Sequence, residues 1–240
     1  MPDFLRIYAK QEYLTPGAAH TVELIAETVD PDENSILLDL ASGKGEAAAT
    51  LSGRFACRVI AVDGFDPHVH ITAAKFWFYN LRDLAAVLRA DGRHIPVRSD
   101  SIDASYCIGA PSIVGLEPAL SELARVTKPG GHVVVSDIVW REKPGSLGPE
   151  WDWLAKAQQI SADEYAAVLT AVGLTVDRTH IHPRSDWEDY FAPMLEVARE
   201  AKTGDPADPF FAEDVESKVD LERRAADQYL DYVTFIARKP

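Results

Sequence analysis

ILLDLASGKGEAA, residues 36–48, decides the fold. Its first half is a leucine-rich run ending in Asp39, as expected of a strand buried on both faces. A turn with Gly43 and Gly45 follows, and an alanine-rich helix opens near Gly45. The two glycines let a ligand approach backbone that a Cβ would block, and the first helical turn offers N–H groups without intrahelical partners. The expected occupant therefore has polar or anionic groups. Taken alone, Gly43, Gly45 and Ala48 also match a dinucleotide fingerprint, so the occupant stays open at this point.

Working outward, SILLDL (35–40), CRVIAV (57–62), AAVLRA (85–90), ASYCIG (104–109) and HVVVSDIV (132–139) are short, almost continuously apolar runs. Amphipathic stretches lie between them: residues 20–29 place Val22, Ile25, Ala26 and Val29 on one helical face, and 117–126 does the same with Leu120, Leu123 and Ala124. Strands alternating with helices at this spacing predict a doubly wound, mostly parallel α/β sheet with right-handed crossovers. Its ligand crevice lies outside the carboxyl ends of the strands. Beyond the fifth strand comes a Gly/Pro-punctuated connection with Trp151 and Trp153. Ser161 and Glu164 then predict a capping box for a helix ending at Gly173, 174–181 reads as a sixth strand and 231–238 as a seventh. A second capping box is expected at Ser185 and Glu188, opening a helical tract over 186–229 with a turn at 204–209. No repeat or linker divides the chain, so residues 1–240 read as a single domain with an N-terminal cap and helix over 1–30.

The balance of 24 Lys plus Arg against 38 Asp plus Glu, a net charge of -14, opposes binding to nucleic acid or anionic lipid. The longest uncharged stretch, 104–116, is too short to span a bilayer, and the opening MPDFLRIYAKQEY has no basic-then-apolar order, so a cytoplasmic protein is expected. Cys57 and Cys107 each sit in an apolar run and read as small buried hydrophobes.

Asp63 ends the second strand, where this fold places a carboxylate able to accept both hydroxyls of a ribose; Asp66 is an alternative. The segment RADGRHIPVRSDSIDASYCIGAP (89–111) has an Asp-Gly pair after strand three and a Ser-Ile-Asp entry into strand four, and KPGGHVVVSD (128–137) turns tightly into strand five. With these motifs in order, the chain resembles the class I S-adenosylmethionine-dependent methyltransferases of the small stand-alone kind, over about residues 15–137. The resemblance implies a seven-stranded sheet with its last strand antiparallel, a cofactor-binding core over 35–139, and substrate-side insertions at 140–160 and 183–229. It implies S-adenosylmethionine as cofactor, S-adenosylhomocysteine as product and a small-molecule methyl acceptor. Asp39, Ala41, Gly43 and Gly45 match the family's Asp-x-Gly-x-Gly-x-Gly motif, Asp63 with Gly64 the ribose site, Asp91 and Gly92 the adenine border, and Ile108 and Gly109 the methyl-donor side. Ala41 departs from the motif, where tighter packing with cofactor binding kept is expected.

On the acceptor side the candidates are Tyr8, Tyr13, Pro111, Ser112, Trp140, Trp187 and Tyr190, with Phe191 beside them. Trp187, Glu188, Asp189 and Tyr190 together suit a neutral or cationic acceptor. The nucleic-acid amino methyltransferase signature Asn/Asp-Pro-Pro-aromatic is absent, Gly109, Ala110, Pro111 and Ser112 standing in its place. His68 with His70, and His180 with His182, have a two-residue spacing that points both rings one way on a strand. With no thiolate or third ligand nearby, no metal site is expected. His182 remains a candidate general base. Two alternatives stay open: a nicotinamide-dependent oxidoreductase, disfavoured because the glycines lag the strand end, and an S-adenosylmethionine-binding protein without catalysis.

Overall fold

A computed structural model describes residues 3–143, 160–204 and 206–240. The elements in chain order are α1 (Asp3–Ile7), α2 (Ala18–Val29), β1 (Ile36–Leu40), α3 (Glu46–Phe55), β2 (Arg58–Asp63), α4 (Asp66–Phe78), β3 (Ala85–Arg89), β4 (Ile102–Ile108), α5 (Pro111–Val114), α6 (Leu116–Val126) and β5 (Thr127–Trp140). They are followed by α7 (Ala162–Ala171), β6 (Thr175–Ile181), α8 (Arg184–Thr203), α9 (Pro209–Gln228) and β7 (Leu230–Arg238). The connection read at 141–159 lies almost wholly outside the described residues.

The strands form one seven-stranded sheet in the order β3-β2-β1-β4-β5-β7-β6. Strands β1 to β5 run parallel, whereas β7 pairs antiparallel with both β5 and β6. Leucines 37, 38 and 40 of β1 are fully buried because helices cover both faces, which is why the run carries no polar alternation. One face packs Leu38, Leu120 and Leu123 with Tyr165 and Phe235, whose rings stack at 4.5 Å. The other packs Leu37, Ile25 and Leu51 beneath α2 and α3. A third apolar cluster, around Trp187, Phe191, Val215 and Tyr232, joins α8 and α9 to the sheet. No helix of the described residues is long and apolar enough to cross a membrane.

The capping box at Ser161 and Glu164 forms, with Ser161 N–H donating to Glu164 at 2.8 Å and Glu164 N–H to Ser161 Oγ at 3.2 Å. The one expected at Ser185 does not. Helix α8 starts earlier, on Pro183, and the Glu188 carboxylate accepts two bonds from Arg223 of α9, at 2.9 and 2.8 Å. A bidentate charge-assisted pair outcompetes a single cap bond to backbone. Helix α4, which the apolar pattern does not announce, leaves Trp77 and Phe78 exposed and so lacks a clean polar face. It also places His68 and His70 on a helix rather than a strand; two residues there turn through about 200°, so the rings diverge.

Candidate functional site

The cavity lies beyond the carboxyl ends of β1, β2 and β4 and has a volume of about 580 Å³. Its floor is the β1–α3 turn. Ala41, Gly43 and Gly45 all have positive φ, at 55°, 54° and 72°, so the backbone curls through the left-handed region three times within five residues. The curl aims the Gly43 N–H at Asp63 Oδ2, 2.8 Å away, while Thr72 Oγ1 donates to the Gly43 carbonyl at 3.0 Å. Gly45 serves packing: a Cβ there would come within 2.5 Å of Thr72 Cγ2, so its hydrogen lets α3 approach α4. Ala41 makes the same turn as a residue with a Cβ, so the departure from the motif carries backbone strain at φ 55°, with its methyl packed against the core.

Two carboxylates face this floor. Asp63 is held at the end of β2, its Oδ1 accepting the Phe65 N–H at 2.8 Å, and it keeps lone pairs for a further donor. Asp66 lies away from the cavity lining and pairs with Arg89 on the surface at 2.9 Å. Asp39 lines the cavity with only 2% exposure, and its Oδ2 has no hydrogen-bond partner among the described residues. Burial, and after it the negative charge of Asp63, push its carboxyl well above the usual carboxylate range. A buried, partnerless acceptor is costly in isolation, and a cationic or N–H-bearing ligand group would relieve it.

The roof comes from the N-terminal strap, residues 8–18. Lys44, inside the β1–α3 turn, donates to the carbonyls of Tyr8, Ala9 and Gln11, so the floor itself pins the strap down. Burial lowers the pKa of that ammonium. Gly109, at φ 72°, permits the strap to close: its Cβ would lie 2.4 Å from Thr15 Oγ1. Tyr8 and Tyr13 of the strap line the cavity, as do Gly64, Ile108 and Gly109.

The far end is walled by Trp187 and Tyr190 of α8, Glu222 of α9, Ile113, Ile138 and Leu230. Tyr8 and Tyr190 meet hydroxyl to hydroxyl at 3.2 Å, and Gln11 Nε2 donates to the Tyr190 carbonyl at 2.7 Å. Glu222 is ion-paired with Lys218, leaving little net charge at this end. Burial, then the charge of Glu222, holds the Tyr190 phenol well above its ordinary pKa, so it is a neutral hydroxyl.

Several expected residues lie elsewhere. Asp91 is outside the lining and is gripped by the Arg93 guanidinium at 2.7 Å, and Gly92 faces Val114 and Leu40. Pro111 is packed inward, and Ser112 donates from backbone and side chain to Asp137, at 2.9 and 3.1 Å. Trp140 is a member of the apolar cluster under α8 and α9, as is Phe191. His182 is not a base at this cavity: its side chain is fully buried away from it, and its ring nitrogens face Asp186 at 2.7 Å and Thr234 at 2.7 Å. Conversely, Lys44, Thr15 and Glu222 line or shape the cavity without having been singled out from sequence, and His68, read there only as half of a histidine pair, lines it as well. Only Lys44, inside the motif itself, carried a local signal.

Comparison with known proteins agrees with this geometry. Residues 38–135 match a family described as a methyltransferase domain. The Methyltransferase GfsG of Streptomyces halstedii is 26% identical over 169 residues, covering 67% of this chain and 60% of that protein. The demethylmenaquinone methyltransferase of Thermobifida fusca is 26% identical over 163 residues, covering 62% of this chain and 66% of that protein. The matches thus span less than two thirds of the length of either relative. A crystal structure of an S-adenosylmethionine-dependent methyltransferase from Geobacter sulfurreducens, in complex with S-adenosyl-L-homocysteine, superposes with a TM-score of 0.81 at 18% identity, covering 100% of this chain and 98% of that one. Residues 38–135 thus resemble a methyltransferase domain, and the chain has the class I, Rossmann-like fold seen in that S-adenosylmethionine-dependent methyltransferase.

Proposed function

We propose that this chain transfers a methyl group from S-adenosylmethionine to an uncharged, largely apolar small molecule. The observation that carries the reading is the partnerless Asp39 Oδ2, buried in the cavity floor and facing the same space as Asp63. The residues fit the donor: Asp39 offers an acceptor to an ammonium, Asp63 offers lone pairs to a ribose, and the Gly43 turn brings backbone close to both. When bound, the donor supplies a methyl on a sulfonium, whose positive charge fades in the transition state. Carboxylates against the sulfur would therefore favour the ground state, and Asp39 and Asp63 belong on the flanking polar groups.

The chain's own contribution is then positioning. The strap and the α8–α9 insertion enclose the acceptor end, exclude water and hold the acceptor against the donor; such alignment can supply roughly 7 to 11 kcal/mol at best. Leu14, Ile113, Val114 and Ile138 favour an apolar body, and the Tyr8 and Tyr190 hydroxyls offer bonds to one polar atom. Small-molecule selection by residues 183–229, absence of nucleic-acid partners and a cytoplasmic setting belong to the same reading.

Calorimetry with S-adenosylhomocysteine is the test. Asp63→Asn should weaken binding at least tenfold, one charge-assisted bond being worth about 1.5 to 3 kcal/mol, while Asp66→Asn stays within twofold. Equal losses would displace the ribose from Asp63. Methyl turnover across a panel of neutral acceptors separates an enzyme from a protein that only binds the donor.

A further inference from the structure

Behind the cavity, three histidines from separate parts of the chain converge. His20 lies on α2, His180 on β6 and His182 just beyond it, and their rings contact edge to face with centroids 4.6 Å (20–180), 5.1 Å (20–182) and 4.9 Å (180–182) apart. One ring nitrogen from each falls within 4.8 Å of the other two. Asp186, in the first turn of α8, sets its Oδ2 2.7 Å from His182 Nδ1 and 3.2 Å from His20 Nδ1. His180 Nε2 is buried with no hydrogen-bond partner among the described residues.

We propose that His20, His180, His182 and Asp186 bind one divalent transition-metal ion of the zinc class. Three imidazoles and one carboxylate are a zinc donor set, and Zn²⁺ takes four such ligands at about 2.0–2.2 Å in a tetrahedron. Its edges are roughly 3.4 Å long, so the histidine nitrogens, up to 4.8 Å apart, must close in by as much as about 1.4 Å while Asp186 Oδ2 backs off from its 2.7 Å contact with His182 Nδ1. The freedom to do so sits in His20, whose side chain is 38% exposed, whereas His182 is fixed. Thr234 Oγ1 lies 2.7 Å from His182 Nε2 and Thr21 Oγ1 lies 2.9 Å from Thr234 Oγ1, a hydrogen-bonded backing that orients the ring with Nδ1 toward the cluster. Gly17 leaves the space: a Cβ there would fall 2.3 Å from His182 Nδ1. A second cavity, about 270 Å³ and lined by Gly17, His20 and Asp186, provides the entry.

The ion would tie α2, which enters from the strap, to β6 and α8, which lead into the wall of the acceptor end. It is a clamp on the two sides of the cavity rather than a participant in methyl transfer, and it stands whether or not the methyltransferase reading does.

The test uses the full chain, first treated with chelator, and needs no substrate. Titrated Co²⁺ should give the intense visible absorption of a four-coordinate site with a stoichiometry of one. Zn²⁺ should displace it and raise Tm. His20→Gln, at the exposed ligand, should weaken Zn²⁺ binding at least tenfold and abolish the four-coordinate spectrum. His180→Gln should do the same, and His94→Gln, exposed and remote from the cluster, should change neither. A six-coordinate cobalt spectrum, absence of saturable binding, or wild-type affinity in His20→Gln would each overturn the proposal.

Discussion

Ala41→Gly isolates the backbone strain in the β1–α3 turn. Ala41 has φ 55°, a region that costs an L-residue about 1–2 kcal/mol relative to glycine. Replacing it by glycine also loosens the unfolded chain, by about 0.4–1 kcal/mol, and removes a half-buried methyl worth about 0.4 kcal/mol. The sum leaves Ala41→Gly about 0.5 kcal/mol more stable, a rise in Tm of about 1–2 °C for a domain of this size. Ala56 is the control: it occupies the C-cap of α3 at φ 56°, away from the cavity and exposed, so no packing is lost and the gain should be nearer 1 kcal/mol, or about 2–4 °C. Urea unfolding of the two variants, read as the shift in midpoint at unchanged slope, measures both. If both variants unfold at lower urea than the parent, left-handed strain is not what these alanines contribute. Should only Ala41→Gly fall, its methyl packs more tightly than the geometry implies, and affinity for S-adenosylhomocysteine should fall with it.

Asp137, buried where it accepts bonds from Ser112, has its carboxyl pushed up by that burial to about 6. Because the folded protein holds this proton more tightly than the unfolded chain, the group's stabilisation is present below about pH 4 and is lost as pH rises through about 6, a change of roughly 3 kcal/mol. Asp137→Asn should flatten that part of the profile, seen as urea midpoints at pH 5 and pH 8 that differ less than in the parent; parallel profiles would refute it. Gly45→Ala combines left-handed strain at φ 72° with the contact to Thr72 and should cost at least 2 kcal/mol in urea unfolding, part of it recovered by Thr72→Ser; a cost below 1 kcal/mol would mean α4 gives way freely. Tyr190→Phe keeps the ring but removes the hydroxyl that meets Tyr8, so S-adenosylhomocysteine affinity should stay within about threefold while acceptor turnover falls further. Equal losses would make this residue structural.

What the sequence determined by itself was local. The central parallel strands were legible because burial on both faces leaves each run apolar without reference to any partner, while edge strand β3 was read from its apolar run although it is only partly buried. The turn was legible at Gly43 and Gly45 because glycine marks a turn by itself, whereas the left-handed backbone of Ala41 was not, since alanine gives no sign of it. The Ser161 cap formed because its partner is three residues away and meets no competitor. Tertiary structure decided wherever distant side chains compete. Glu188 left its expected cap for Arg223, and Ser112 turned to Asp137. Lys44 found three carbonyls of a strap more than thirty residues upstream, and Glu222 reached the cavity from α9. His180 and His182 share a strand signal that any reader of the chain can see, but the third imidazole comes from His20, about 160 residues earlier. Only the packing of α2 against the sheet brings it there, since no local rule couples residues whose contact depends on the whole fold closing between them.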